Sequence, residues 1–440
     1  MKHLFEHIWK IRQYLLLWLT QMLSGLGSGM TGYALVIWSY GQEGSALRTA
    51  LLMVCSYTPY VLCSIFAGAL SDRWNKKKTM LVCDALAAAS TVAVWALLKT
   101  DGLRIWHLYV INAFSGLMNT VQQPASEVAT TALLPEEYYQ RVGALSYLSS
   151  SVNGILKPIL ATAMLGLFGL DAVILFDLAT FAVAFAALAL FIRVPESRPD
   201  DAPREPLLAS AGQGLRWLKQ HAGILHLMLF LAAINLVASM YDAAFPAMML
   251  SRDGGSERAM GLVNAVIGLS TLLGSLMATA MKTPRSRVKV IMVTLMVSMG
   301  TENLLLAFGR SAAVWCVGGF LGWFLIPLMN ANLSAIMRLH IPIELQGRVY
   351  AARNSLQFFT IPVGFFAGGF LVDYAFEPLM AAQPASGLLA RWFGTGKGSG
   401  AVCFFAVLWL LGIAVCLLFR HDRAIWRLED PSTKAGLCRE

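Results

Sequence analysis

The sequence predicts an all-α membrane protein, with twelve transmembrane helices in two six-helix bundles related by a parallel pseudo-repeat. Three observations carry this expectation. Of 440 residues, 57% are hydrophobic and only 13% charged, against about 25% charged in an ordinary soluble domain, which excludes a water-soluble enzyme of usual composition. Apolar windows of the roughly 20 residues that a bilayer crossing needs recur twelve times. Lys and Arg are then distributed unequally, 25 in or beside the predicted cytoplasmic segments against 8 in or beside the outer ones. The net charge of +9 would point to nucleic acid only if basic side chains gathered on one exposed face, and here they stand in short runs between apolar stretches.

The windows lie at 14–39, 46–70, 79–99, 105–126, 142–168, 171–192, 223–249, 259–281, 288–309, 312–337, 347–372 and 400–420. The first is too long for a signal-peptide core and no small-residue cleavage site follows it, so it reads as a retained span. Cationic loops resist translocation, and their asymmetry places both termini in the cytoplasm. The expected location is the inner (cytoplasmic) membrane, crossed many times. Residues 193–222 are polar and Pro-rich at first, then carry Leu207, Leu208, Leu215 and Leu218 beside Arg216 and Lys219, a linker followed by an interfacial helix. The chain thus divides into an N-terminal bundle (1–192), the linker with its amphipathic helix (193–222), a C-terminal bundle (223–420, with an outer loop at 373–399) and a cytoplasmic tail (421–440).

The halves echo each other. LLPEEYYQRV follows the fourth span and HIPIELQGRV the tenth, so that Pro135, Glu137, Arg141 and Val142 reappear 207 residues later as Pro342, Glu344, Arg348 and Val349. A parallel repeat of this kind places a substrate site between the halves near mid-membrane.

Helical spacing puts residues three and four apart on one face. Gln21, Ser24, Ser28 and Thr31 stripe span one; Asn112, Ser115, Asn119, Gln122 and Ser126 stripe span four; Ser146, Ser149, Asn153 and Lys157 stripe span five. In the second half the stripes are Asn235, Ser239 and Asp242 in span seven and Asn264, Gly268, Thr271 and Ser275 in span eight. Lipid offers such amides no partners, so Gln21, Ser28, Asn112, Asn119, Gln122, Asn153, Asn235, Ser239 and Asn264 are cavity candidates, with Trp323 and Phe358 as aromatic lining. The competing reading is polar glue between packed helices, worth about 0.6 kcal/mol per contact. Spans three, six, nine and twelve show no comparable stripe and read as supporting helices.

Asp84, Lys157, Asp177, Asp242 and Glu302 fall inside spans, where each charge costs about 2.5–3.5 kcal/mol on insertion scales. Asp242 is the leading proton-carrier candidate. Lys157, near the midplane, serves as its partner across the cavity, binds anionic substrate groups, or pairs with Asp177. Asp84, near the cytoplasmic end of span three, reads as a contact for the adjoining basic loop or, with Asp177, as a further proton- or substrate-coupling candidate. Glu302 reads as snorkelling from a peripheral span, and Glu127, at the inner mouth of span four, as a proton relay or a helix cap.

Between spans two and three stands GALSDRWNKKK, Gly68 to Lys78. It resembles the signature loop of the major facilitator superfamily, which implies that family's fold and a conformational latch at Gly68, Leu70, Asp72, Arg73, Lys76 and Lys77. A carboxylate at Asp72 suits the positive end of a neighbouring helix, and the cations suit acidic groups or lipid phosphates. Asn75 stands where the family usually has glycine, a residue that tolerates the left-handed conformation better than most. The stretches WLTQMLSGLGSGMTGYAL, QQPASEVATTALLPEE and DYAFEPLM followed by GTGKGSGA are similar to the macrolide-efflux and siderophore-export branch of drug:proton antiporters. Two departures stand against its usual coupling residues: Asn112 replaces an arginine four residues before Gly116, and Lys157 precedes Pro158 where antiporters carry glycine.

The resemblance implies export of small amphipathic molecules driven by a proton gradient, with no cofactor. The expected partners are membrane lipid and a small-molecule substrate, not nucleic acid, and the expected state is a monomer. An importer or lipid translocator on the same scaffold, or a receptor that has lost transport, remains open. GLGSG at 25–29 and GTGKGSG at 394–400 superficially resemble nucleotide loops; the first lies mid-span, and in the second Gly398 follows the lysine where Ser or Thr is needed. The cysteines and histidines form no metal-spaced set.

Overall fold

A computed structural model describes residues 11–133, 139–194, 207–282 and 284–429; within its helices the side chains of 64–73, Glu127, 139–148 and 343–348 are among those left outside the description. The described elements are helical. They run α1 Arg12–Glu43, α2 Ala46–Arg73, α3 Lys76–Lys99, α4 Ile105–Ala132, α5 Tyr139–Ala186, α6 Leu207–Gln220, α7 Ala222–Ser251, α8 Glu257–Ala280, α9 Arg287–Phe308, α10 Ala312–Phe324, α11 Ile326–His340, α12 Ile343–Phe358 and α13 Thr360–Leu371. The short α14 Glu377–Ala381 and α15 Leu388–Phe393 precede α16 Ser399–Arg420 and α17 Arg423–Trp426.

Among the described residues nine helices are long and apolar enough to cross a membrane. One of them, Ser149–Phe191, runs 43 residues, or about 65 Å at 1.5 Å per residue, twice the ~30 Å hydrocarbon core. It breaks at Gly169, whose backbone (φ 78, ψ −179) lies in a region that side chains with a β-carbon avoid, so it supplies two crossings. The polar stripes of α1 and α4 lower their hydropathy, yet at 32 and 28 residues both have crossing length. With these, the described helices offer a segment of crossing length at each predicted window.

Local chemistry sets several boundaries. Asn75 accepts a hydrogen bond from Lys78 N at 2.9 Å and caps α3. Its φ of −63 corrects the expectation of a left-handed residue; a side-chain acceptor explains the asparagine better. Ser256 and Ser286 cap α8 and α9 in the same way. The tenth crossing is interrupted at Leu325, before Pro327 in the first turn of α11, where a missing N–H does no harm. The segment 373–399, expected as a loop, instead holds a π-turn at Val372–Phe376 and the helices α14 and α15.

The chain forms two compact units, Met1–Trp38 with Cys55–Arg204, and Ser39–Val54 with Glu205–Glu440. In the first, Leu17, Met80, Ala125, Ala129, Leu188 and Ile192 form a buried cluster. Beside it Lys77 Nζ donates to Ala189 O (3.0 Å) and Ile192 O (2.7 Å), satisfying carbonyls that the end of a helix leaves open. Gly116 lets α4 meet α2 backbone to backbone, since a β-carbon there would collide with Ser56 O.

In the second unit Gly364 and Gly368, four residues apart, let α13 lie directly on α7: β-carbons would stand 2.6 Å from Leu236 O and 2.7 Å from Met240 O. Small residues at this spacing bring helices together where water exclusion offers no drive. The linker helix α6 packs against α12. It buries Trp217 and Leu218 and exposes Arg216 and Lys219, as an interfacial helix should. Residues 423–429, expected as the start of a tail, are packed: Ile425 and Leu428 are buried, Leu428 O lies 3.0 Å from His340 Nε2, and Glu429 accepts Val288 N at 2.8 Å.

Candidate functional site

The first unit gathers its polar groups on α1. Gly25, Gly27 and Gly29 thin this helix, so that Asn153, Asp177 with Thr180, and the Lys157 stem approach it; this is the structural use of GLGSG. Gln21 and Ser28, seven residues or two turns apart, share one face of α1. Ser28 Oγ donates to Asp177 Oδ1 at 2.9 Å. Gln21 Nε2 reaches Asp84 Oδ2 at 3.5 Å, while Gln122 Nε2 donates to Asp84 Oδ1 at 2.5 Å. Three residues singled out separately, on spans one, three and four, thus meet at one carboxylate.

Two expectations are corrected here. Among the described residues the partners of Asp84 are two amides and not the basic loop, because its position on α3 turns it toward α1 and α4. Asp177, only 3% exposed, is held by Ser28 rather than paired with Lys157. Among the described residues no Lys, Arg or His lies within ion-pair distance of Asp84, Asp177 or Glu302.

The remaining stripes divide. Asn112, Asn264, Thr271 and Ser275 donate to carbonyls of their own helices, and Asn119 is exposed. Asn153 Nδ2 crosses to Met22 O at 3.5 Å with its Oδ1 buried and unpartnered. Asn235 Nδ2 crosses to Gln357 O at 3.2 Å, and Ser239 turns back to Asn235 O. Asp242 is exposed on α7, Lys157 and Phe358 are half-buried.

The second unit holds a residue that sequence reasoning misplaced. Glu302 on α9 is 5% exposed and does not snorkel. Its Oε1 accepts Trp323 Nε1 at 3.1 Å, and Gly322 packs against its carboxyl group. The Tyr241 hydroxyl faces the same carboxylate without closing a hydrogen bond. The signal was present: Thr294, Ser298 and Glu302, all buried, repeat at four-residue spacing in a span read as stripe-free. Trp323, expected as pocket lining, is a donor to this group.

At the end of the same unit that carries the N-terminus of α2, Asp373 accepts Ser45 Oγ (2.6 Å), Ala46 N (3.0 Å) and Leu47 N (2.9 Å). A carboxylate there satisfies free N–H groups and complements the helix dipole. Of the latch loop, Gly68, Leu70, Asp72 and Arg73 have side chains outside those described, as does Glu127. Lys76 Nζ donates to Trp74 O, and Lys77, expected at acidic groups or lipid, is committed to the carbonyls at 189 and 192.

The family model of the Major Facilitator Superfamily matches residues 17–248, more than half of the chain. Macrolide efflux protein A of Streptococcus pyogenes is 22% identical over 369 residues, covering 83% of this chain and 90% of that protein. The multidrug efflux pump Tap of Mycolicibacterium fortuitum is 24% identical over 373 residues, covering 82% and 89%. Among solved structures, the nucleoside transporter NupG superposes with a TM-score of 0.70 at 12% identity, over 93% of this chain and 99% of that one. A POT family transporter in complex with a thioalcohol-conjugated peptide superposes at 0.66 and 13% identity, over 92% and 95%. The chain belongs to the Major Facilitator Superfamily. It is a multi-pass membrane transport protein, not an enzyme.

Proposed function

We propose that this transporter exports small amphipathic molecules, macrolide-like drugs or siderophores, by alternating access of its two halves, in exchange for protons. Export is supported by the efflux proteins to which over four-fifths of the chain is similar. Coupling rests on one observation: Asp84, inside a crossing helix, is held by two amides and by no cation among the described residues. Amides hydrogen-bond a carboxylate and a carboxylic acid alike, so the site accommodates both protonation states, and protonation relieves the cost of a charge in the membrane.

In this reading Asp84 takes the place of the arginine-based coupling that the superfamily pattern would put at Asn112. Asp242, on the exposed side of α7, is the second proton site. Lys157 and Asp177, set against α1 at Gly29 and Gly27 on different sides of that helix, tune the substrate path, and the loop from Gly68 to Lys77 latches the cytoplasmic side. The termini are cytoplasmic, and the protein works as a monomer in the inner membrane.

Everted membrane vesicles energised to a pH gradient, then given macrolides, siderophores and peptide antibiotics in turn, test the proposal. Collapse of the gradient on adding one of these classes is the expected result. Substrate binding with no proton movement would exclude antiport.

A further inference from the structure

A cavity of about 290 Å³ opens at the end of the second unit where α7, α9 and α15 finish. Its lining includes Arg252, Arg310, Arg391 and Lys397, with Asp253 as the single carboxylate beside them and Thr395 as a neutral donor. Two of the cations are fixed. Arg252 donates to Leu306 O and Gly309 O, both at 2.7 Å, and lies 4.5 Å from the Trp315 ring centroid; Arg310 donates to Arg391 O at 2.9 Å. Burial draws the Arg252 guanidinium down to about 10, so it stays charged at neutral pH. Among the described residues no carboxylate lies within ion-pair distance of any of the four. Four cations around one small concavity, with Asp253 the one acid in its lining and the Glu377 carboxyl group close enough to act on Lys397, leave the pocket net positive, an electrostatic trap for an anion.

The GTGKGSG motif enters here, though not as a phosphate loop. The Gly398 and Ala401 amides are taken by Glu377 Oε1 and the Ser399 amide by Gly396 O; the Lys397 side chain lines the pocket, its ammonium 5.8 Å from the Tyr40 ring centroid and beside Gly44. Beside the pocket Trp392 and Leu388 are 60% and 72% exposed, an amphipathic edge of the kind found at membrane interfaces.

We propose that this pocket binds a phosphate group, recognised by the guanidinium forks of Arg310 and Arg391 together with Lys397. Guanidinium matches phosphate geometry with paired donors. Two sources share that chemistry, an anionic lipid headgroup in the adjoining leaflet and a free phosphoester. The assignment does not depend on the direction or coupling of transport.

The full chain, delipidated in detergent, is presented with phosphatidylglycerol or with phosphate-free diacylglycerol and read by native mass spectrometry. Glycerol 3-phosphate is titrated separately by calorimetry. The wild type is expected to retain phosphatidylglycerol over diacylglycerol, or to bind glycerol 3-phosphate, and to lose at least tenfold in affinity on Arg310→Gln with Arg391→Gln. Lys397→Gln alone should lose threefold or more, which keeps the test open should the double variant melt early. Arg285→Gln with Lys289→Gln, the same loss of charge at the opposite end of the unit, should change affinity less than twofold. Lipid binding without glycerol 3-phosphate binding assigns the headgroup source, and the converse assigns the free phosphoester. Equal loss in both double variants, equal retention of diacylglycerol, or no binding of either phosphate probe overturns the proposal.

Discussion

Gln122 donates its side-chain amide to Asp84 at 2.5 Å, joining α4 to α3 through a carboxylate that no described cation approaches. Asp84→Asn keeps the size and an acceptor for Gln122. It is therefore expected to insert and melt like the wild type, yet to export at least tenfold more slowly under a pH gradient. Gln122→Ala instead strips the carboxylate of its closer partner, and should lower stability by about 1–3 kcal/mol. Thermal melts in detergent beside transport rates separate the two effects.

Glu302, Trp323 and Tyr241 make a second pair of opposed expectations. Trp323→Phe removes the N–H that Glu302 accepts and should destabilise by about 1–3 kcal/mol, the range for a buried polar group left without its partner. Tyr241→Phe deletes a buried hydroxyl that has no hydrogen-bond partner, so its melting temperature should be unchanged or higher. A fall as large as that of Trp323→Phe would show that the tyrosine closes onto the carboxylate after all.

Much of the fold was legible because crossing a bilayer forces length and composition to declare themselves. Predicted and observed boundaries of α3, α7, α8, α9 and α16 differ by three residues or fewer, and even the amphipathic α6 could be read from Leu218 beside Lys219. What failed was the assignment of partners. Proximity in sequence offers Asp84 the adjoining basic loop, but a helix turns a side chain by about 100° per residue, and that rotation brings it to α1 and α4. Asp177 was offered Lys157 by charge, and the structure gives it the hydroxyl of Ser28. The lack of a polar stripe makes spans three, six and nine read as supporting helices, yet Asp84, Asp177 and Glu302 stand on these three spans respectively. A supporting helix still has an inner face, and these carboxylates occupy it.

The contact of α13 on α7 depends on Gly364 and Gly368. A β-carbon at either meets a backbone carbonyl of α7, which has no side-chain freedom to yield. Gly364→Ala and Gly368→Ala are each expected to cost about 1–3 kcal/mol by overpacking. Ala367→Gly, between them, should cost about 1 kcal/mol or less, and a melt series distinguishes packing from helix propensity.

Asp373 closes the N-terminus of α2 through Ser45, Ala46 and Leu47. Asp373→Ala should lose about 0.5–2 kcal/mol of capping. It should also raise the rate at which Ser45→Cys, introduced in the same background, reacts with an impermeant maleimide. Unchanged labelling would mean that the cap is incidental to this end of the protein.

Proton release on substrate binding tests the coupling most directly. In lightly buffered detergent solution with a pH indicator, a transported macrolide is expected to displace about one proton per wild-type molecule, by the linkage between two ligands that exclude each other. Asp84→Asn should bind with little release, and Asp242→Asn should bind yet fail in vesicle antiport. Binding by the wild type with no proton released, or release undiminished in Asp84→Asn, would contradict the assignment of Asp84 as the coupling carboxylate.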